Sequence, residues 1–279
     1  MNFWKSVVVA ALVAGRLAAQ EPSKAEPAAI ASLPPTQGSE ELPFRFEIGG
    51  YGSSVDHGFG SWNGADAKLW FRNRYFTPAL IVESQSRPTG TQQNYTFFSY
   101  LNWSKSFYTT QGFSYAPQRS DSSTYFPKRR YDMKGYWKLP PGRNLVLGAG
   151  YTRFDLGTGG HGQIFNLGAL YYHRKLVVEG NVFVNRSQPG NLYSTSGMLS
   201  AQYGHEGSYW WGVTAGGGRE LYKFVGQTPF DVQFSSYSVN AFYRKWFTRH
   251  TGMVISLDYL DKLSGYRRVG GGFHLFFEF

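Results

Sequence analysis

Three polar side chains near the end of the chain have the types that a serine hydrolase uses, namely Ser256, Asp258 and His274. Nucleophilic catalysis needs a hydroxyl, a base within hydrogen-bonding distance and a group that orients the base. Alternate residues of a strand share a face, so these three would face the same way on two adjacent strands. A hydrogen-bonded polar network is the commoner use of such residues, and we predict no catalytic site.

Two other chemical motifs are also weak. The segment at 157–162 fits Gly-x-Gly-x-x-Gly, but it joins two strand-like segments and opens no helix, so it lacks the helix N-terminus that binds phosphate. No two histidines have the His-x-x-x-His spacing that places two metal ligands on one helix face. We therefore predict neither a metal site nor a cofactor. The histidines are His57, His161, His173, His205, His250 and His274.

Charged side chains in the strand-like segments are the remaining candidates. The formal net charge is +10, yet the segments carry both signs on one face, which predicts ion pairs between them. The candidate lumen-lining residues are Arg45, Lys68, Arg72, Arg74, Glu83, Asp132, Lys134, Lys138, Glu179, Arg244, Asp258 and Arg268. What these side chains line depends on the elements that hold them.

Those elements show a period of two. At the end of the chain Leu275, Phe277 and Phe279 share one face, whereas His274 and Glu278 share the other. This alternation is typical of a strand with lipid on one side and water on the other. No apolar run after the N-terminus is long enough for a membrane helix, whereas a strand crosses a bilayer in about 9–11 residues.

About 14 such segments follow residue 42, and 12 is the alternative count. The connections alternate between short turns and longer ones, the longer ones being 55–64, 87–91, 117–129, 156–161, 187–192 and 221–231. Short turns on the periplasmic side and longer loops outside predict that both termini are periplasmic. Open edges in lipid would leave unpaired backbone groups, so we predict a closed antiparallel transmembrane β-barrel, all-β in class.

A soluble lipocalin-like barrel or sandwich is the alternative fold. It would place the apolar stripe inside and need fewer strands. Aromatic residues near the segment ends instead predict girdles at the two membrane interfaces. These residues are Tyr51, Trp103, Tyr171, Tyr203, Tyr209 and Trp246.

The N-terminal region divides the chain into three parts. Residues 1–19, with Lys5 before a short apolar stretch, are typical of a secretory signal peptide. Residues 20–42 are rich in Pro, Ala, Ser and Glu and predict a disordered periplasmic linker. Residues 43–279 form the predicted barrel. The chain has no cysteine, which excludes disulfides and a lipidated cysteine after the signal.

From about Gly112 to its end, the chain resembles the YaiO family of outer-membrane β-barrels. The similar segments are YFPKRRYDMKGYWKLPPGRNLVLGAGYTRFDL, SGMLSAQYGHEGSYWWGVTAGGGREL and YSVNAFYRKWFTRHTGMVISLDYLDKLSGYRRVGGGFHLFFEF. The resemblance implies the fold and the bacterial outer membrane, and it supplies no catalytic residues. The final Phe279, with Phe277 and Leu275 at alternate positions, also resembles the C-terminal signal that the barrel-assembly machinery reads.

These observations favour a pore for small, preferably anionic solutes. A non-conducting structural or surface-interaction barrel is the alternative, and an outer-membrane hydrolase is less favoured. The expected partners are outer-membrane lipid and lipopolysaccharide, the latter through the basic loop at 128–130, together with the barrel-assembly machinery during insertion. Nucleic acid is excluded by the location, despite the net positive charge.

Overall fold

A computed structural model describes residues 42–117, 126–156, 160–222, 232–263 and 265–279, without the side chains of 220–222 and 232–234. The predicted signal peptide, and all of the predicted linker except Leu42, lie outside the described residues. Within the described residues, no helix is long and apolar enough to cross a membrane.

The described chain forms one closed sheet of strands, each antiparallel to its sequence neighbours. The first and last strands also pair, from Arg45 opposite Glu278 to Val55 opposite Arg268. The predicted 14-stranded barrel is therefore confirmed, and the alternative of 12 strands is wrong. The strands are β1 (Phe44–Val55), β2 (Gly60–Phe71), β3 (Phe76–Arg87), β4 (Gly90–Asn102), β5 (Phe107–Tyr115), β6 (Arg129–Lys138), β7 (Leu145–Asp155), β8 (His161–His173), β9 (Leu176–Gln188), β10 (Leu192–His205), β11 (Tyr209–Tyr222), β12 (Val232–Trp246), β13 (Thr251–Lys262) and β14 (Arg267–Glu278).

The wall has an apolar outer face and a mixed inner face. On β14, Phe273, Leu275 and Phe277 are exposed, whereas His274 and Phe276 between them are buried. The other strands alternate in the same way, because successive side chains point to opposite faces. Exposed leucines, valines and aromatics cover the outside, which is the pattern of a wall in contact with lipid.

The two ends of the barrel differ. We call the end with both chain termini the terminal end and the other the far end. Long far-end loops were predicted at 55–64, 87–91 and 187–192, but the structure has only 56–59, 88–89 and 189–191 there. The strands continue farther than predicted, since beyond the membrane both faces meet water and the polar–apolar alternation fades. Which end faces the periplasm stays a prediction.

The predicted aromatic girdle is correct only in part. Trp103, Tyr171 and Tyr203 are exposed on the outer wall. Tyr51 instead points inward and donates to Glu83 at 2.9 Å, and Trp246 is buried inside the barrel. The prediction used only the position along the strand, whereas the alternation of the strand decides which face a side chain occupies.

The lumen is filled unevenly along its length. Large side chains occupy the terminal half in two clusters, one with Trp210, Trp246 and Phe276 and one with Tyr100 and Tyr108, and Tyr172 packs against both. A third buried cluster lies at the far end and consists of Val55, Trp62, Leu260 and Tyr266. The far half of the inner face carries many small or polar residues. These include Thr96, Ser114, Thr152, Asn166, Ser194, Ser196, Thr214 and Gly216.

Candidate functional site: a charged cluster across the lumen

Ionised side chains meet inside the terminal half of the barrel. β1 supplies Arg45, which faces inward because it alternates with the outward Phe44 and Phe46. Its Nε donates to Glu278 Oε1 on β14 at 2.7 Å, and one Nη donates to Glu206 Oε1 at 2.9 Å. Arg45 and Glu278 are both buried, so water does not solvate their charges. The stability of this ion pair therefore depends on the geometry of its hydrogen bonds.

Glu206 is the residue that connects opposite parts of the wall. It lies in the turn between β10 and β11 and also accepts a hydrogen bond from an Nη of Arg72, in the turn after β2, at 2.9 Å. Four strands, β1, β14, β13 and β12, separate β2 from β11 around the barrel. The contact therefore crosses the lumen, and the turn folds into the opening that it borders.

A second layer of charges lies next to Arg45. Arg244 of β12 donates to Glu47 Oε2 at 3.0 Å, and Lys68 Nζ of β2 lies 3.3 Å from Glu47 Oε1. We call Arg45, Glu47, Arg72, Glu206, Arg244 and Glu278 the cross-lumen cluster. Its formal charges are balanced, with three arginines facing three glutamates.

Aromatic side chains hold the cluster in place. Trp246 Nε1 donates to Glu278 Oε2 at 3.0 Å, and the Arg45 guanidinium lies 4.9 Å from the ring centre of Phe276. Rings exclude water and restrict the arginine rotamers, so the charged hydrogen bonds are strengthened. In the terminal half the charges are thus packed between rings.

The turn carboxylate is held ionised. Burial alone would raise the pKa of Glu206, but the nearby Arg45 and Arg72 guanidinium groups keep this pKa below its ordinary value of 4.5. A carboxylate between two arginines is favoured in its charged form. Glu206 therefore stays an acceptor for both arginines at neutral pH.

Most other predicted lumen residues have partners on the inner face. Their contacts are Lys134 with Glu179 at 3.5 Å, Arg130 with Asp132 at 2.8 Å, Arg268 with Asp258 at 3.2 Å, Tyr51 with Glu83 at 2.9 Å and Lys138 over the Tyr108 ring at 5.3 Å.

Arg74 is placed differently from the prediction. It was assigned to a strand that runs to residue 75, but β2 ends at Phe71, and Arg74 is exposed in the following turn. Its guanidinium lies 5.5 Å from the ring centre of Tyr75. Side chains alternate between the two faces only as far as the end of the strand at Phe71. This alternation therefore does not predict which way the side chain of Arg74 points.

The hydrolase-like residues make other pairs. His274 Nε2 lies 2.9 Å from Asp66 Oδ1 of β2, and Asp258 pairs with Arg268. Asp66 also lies 3.4 Å from Lys68 Nζ. His274 thus belongs to a polar network with Asp66 and Lys68, and Asp258 belongs to a separate ion pair. Among the described residues, no group of three or more acidic or histidine side chains could hold a metal ion.

Sequence reasoning missed Glu206 and Asp66. Asp66 sits on the same strand face as Lys68, so the alternation could have found it. Glu206 lies in a turn, where no periodicity indicates direction. One sequence signal could have found it. Glu206 lies in a short connection, between His205 and Gly207, and a charged residue in such a turn lies at the rim of the lumen.

A closed antiparallel sheet, apolar outside and charged inside, defines the class of transmembrane β-barrels. The described fold is similar to two solved outer-membrane structures. A "Bacterial polysaccharide outer membrane secretin" has a TM-score of 0.58 at 8% identity, covering 86% of this chain and 100% of that one. The "CymD monoaromatic hydrocarbon channel" has a TM-score of 0.56 at 8% identity, covering 86% and 89%. At these identities the likeness concerns the fold alone.

Residues 44–223 match the family model of the YaiO membrane beta barrel domain, and the chain belongs to this family. The predicted resemblance is thereby confirmed, although its extent differs. It was placed from Gly112 onward, whereas the match begins at the first strand and ends before β12. No curated protein matches the chain.

Proposed function

We propose that the chain is an outer-membrane channel for small solutes, closed at the terminal end by the cross-lumen cluster. The observation that carries this proposal is the contact of Glu206 with both Arg45 and Arg72, which bridges the lumen from one turn to the opposite wall. Ion pairs and a turn are parts that can separate without breaking a strand pair. The terminal end then faces the periplasm, in agreement with the predicted export and linker.

The uneven filling of the lumen supports a channel. Small or polar side chains line much of the far half on β4 to β11, whereas the large side chains form two clusters in the terminal half and one at the far end, on the side of β13, β14, β1 and β2. A barrel of this strand number has an interior too wide to be filled by small side chains. One of the structures with a similar fold is itself described as a channel.

The preference for anionic solutes stays a prediction. It was based on the net charge of +10, whereas three arginines face three glutamates in the cross-lumen cluster. We therefore expect a weak ion preference at this constriction. A reversal potential measured in a salt gradient, in the conductance experiment below, would report it.

The second candidate is a non-conducting surface-interaction barrel. It is favoured by one observation, that Arg45, Arg72 and Arg244 each contact a glutamate, so that each charge of the cluster has a partner of opposite sign. A permanently closed lumen would need such pairs. The two candidates differ in what happens when one pair is broken.

Glu206→Gln in a planar bilayer separates them. The substitution keeps the shape of the side chain and removes its charge, so we expect the open time of the refolded full chain to increase by about tenfold, because losing one buried partner costs about 1–3 kcal/mol. Asp258→Asn is the matched control, since it neutralises an inner-face carboxylate of the far half. It should leave the open time unchanged.

One result would decide against a channel, namely the absence of conductance in both the wild-type chain and Glu206→Gln, when gel mobility shows both folded. Equal conductance of the wild type, Glu206→Gln and Asp258→Asn would leave the channel in place and would remove the cross-lumen cluster as its closure.

A further inference from the structure

A row of polar side chains crosses the outer wall from β6 to β10 near the far end. In the register of the sheet, Tyr131 lies opposite Arg153, then Gln163, then Arg186, then Tyr193. These residues alternate with inner-face residues of their strands, so they face away from the lumen. We call these five residues the arginine row.

The neighbouring row toward the terminal end is apolar. It consists of Met133, Tyr151, Phe165 and Val184, which are opposite one another in the same register and are all exposed. Exposed apolar side chains on the wall mark the depth of the lipid tails. Along β7 and β9 the outward residues change from Tyr151 to Arg153 and from Val184 to Arg186 toward the far end, so both arginines lie where tails give way to headgroups. Tyr193 beside Arg186 suits that interface.

The two arginines are free to bind an external anion. Within the described part of the chain, no carboxylate pairs with Arg153 or Arg186. Arg186 Nε donates to Asn191 Oδ1 at 2.5 Å, and its guanidinium lies 5.8 Å from the ring centre of Tyr193. These contacts hold the group along the wall and leave its Nη atoms for a ligand.

Arg267, on the opposite side of the barrel, is an outer-face arginine that has a carboxylate partner. It is also on the outer face near the far end, at the start of β14, but its Nε donates to Asp261 Oδ2 at 3.0 Å. Tyr237 and Tyr259 donate to the same carboxylate. The charge of Arg267 is thus paired, whereas among the described residues no carboxylate pairs with Arg153 or Arg186.

We propose that the arginine row binds the phosphorylated headgroup of a lipopolysaccharide molecule in the surrounding leaflet. Arginine forms short, charge-assisted pairs with phosphate oxygens. Arg153 and Arg186 are two strands apart, about 10 Å at the usual strand spacing. This distance suits two phosphates on one disaccharide better than a single-phosphate headgroup. The site lies outside the lumen and does not depend on the proposed channel.

The test is binding of bisphosphorylated lipid A to the refolded full chain in mixed micelles, measured by surface plasmon resonance. Changing Arg153 and Arg186 together to Gln should weaken binding by about tenfold or more, because two charge-assisted contacts are lost. Arg267→Gln is the matched control and should change the affinity less than about twofold, since its charge is already paired. Equal losses in the double variant and the control would overturn the proposal.

Two further lipids identify the source of the phosphate. The wild type should bind bisphosphorylated lipid A more tightly than dephosphorylated lipid A and more tightly than phosphatidylglycerol. Equal affinity for all three would overturn the site. The Arg153→Lys/Arg186→Lys variant keeps both charges and should retain most of the binding, and the gel mobility of unboiled samples shows that each variant is folded.

Discussion

Glu206 is the side chain on which closure of the proposed channel depends. It accepts hydrogen bonds from Arg45 and Arg72, which come from the first strand and from the turn after the second. Both contacts need the carboxylate in its charged form. Protonation of this one group therefore loosens both bridges at once.

The low pKa of Glu206 fixes the direction of the pH effect. A carboxylate whose folded pKa is depressed contributes stability above its ordinary value of 4.5, and this contribution is lost as the pH falls through the depressed pKa. We expect the conductance of the wild type to stay low at neutral pH and to rise only well below pH 4.5. Bilayer recordings over a pH series measure this.

Glu206→Gln is the reference for that series. The variant has no carboxylate to protonate, so its conductance should be raised already at neutral pH and should change less on acidification. Other acids of the cluster, Glu47 and Glu278, remain in both proteins. If both proteins respond identically to acid, Glu206 is not the group that titrates.

Alternation predicted the inner-face position of Arg45, Lys68 and Arg244, but not their partners. Arg244 on β12 contacts Glu47 on β1 across the two intervening strands β13 and β14. Such a pairing depends on the curvature of the closed wall, which the sequence does not display. Arg74 was misplaced for a related reason, because a residue in a turn has no fixed face.

The short turn between β10 and β11 places Glu206 in the lumen. Gly204, next to the end of β10, has a φ of +144°, and a Cβ there would lie 2.0 Å from the carbonyl oxygen of Tyr209. The backbone of the strand pair approaches too closely for any side chain. Gly204 lies two residues before Glu206, so the backbone here is fixed next to the turn that carries this carboxylate.

Gly204→Ala should destabilise the barrel by about 2 kcal/mol, since both a strained φ and a backbone overlap must be relieved. Gly180→Ala is the control, because a Cβ at Gly180 meets only Leu199 Cδ1 at 3.9 Å. Urea unfolding in lipid vesicles, followed by tryptophan fluorescence, compares them. Equal midpoints for the two variants would contradict this account of the turn.

The sequence predicted the presence of the strands correctly. It did not predict the residues at which the strands stop at the far end of the barrel. β1 and β2 are joined by 56–59 where a connection at 55–64 was predicted. Inside the membrane, lipid and water impose the period of two. Beyond the membrane, water contacts both faces of the sheet. Backbone pairing continues there, but the sequence no longer alternates between polar and apolar residues.

The whole molecule is a cylinder because its first and last strands join. Phe44 and Phe279 exchange two backbone hydrogen bonds of 3.0 Å, and their rings stack with centroids 5.7 Å apart. Phe279 thus closes the seam in the finished barrel. We propose that it also serves as the recognition signal during assembly, with Leu275 and Phe277.

Phe279→Ala tests whether Phe279 acts both in the seam of the folded barrel and as a signal during assembly. We expect fewer folded barrels in the outer membrane of cells, because the final ring is lost to the assembly machinery, but only a small effect on the urea midpoint of the refolded chain, since Phe279 is 58% exposed. Leu263→Ala, also an exposed apolar residue, is the control. An equal folded fraction for both variants in cells would contradict an assembly role.

The global architecture followed from the sequence because two solvents act on every strand. The filling of the terminal half did not, since Tyr172 joins clusters whose members are far apart in the chain. Contacts across a lumen depend on which strands stand opposite, and therefore on strand number and closure together.

The packing of charges between rings also has an electrical consequence for the proposed channel. A water-filled passage conducts well and sustains little voltage, whereas a tightly packed segment resists current and sustains more of it. A large part of any potential applied across the proposed channel therefore falls over Arg45, Glu206 and their neighbours. These charges then lie in a strong electric field.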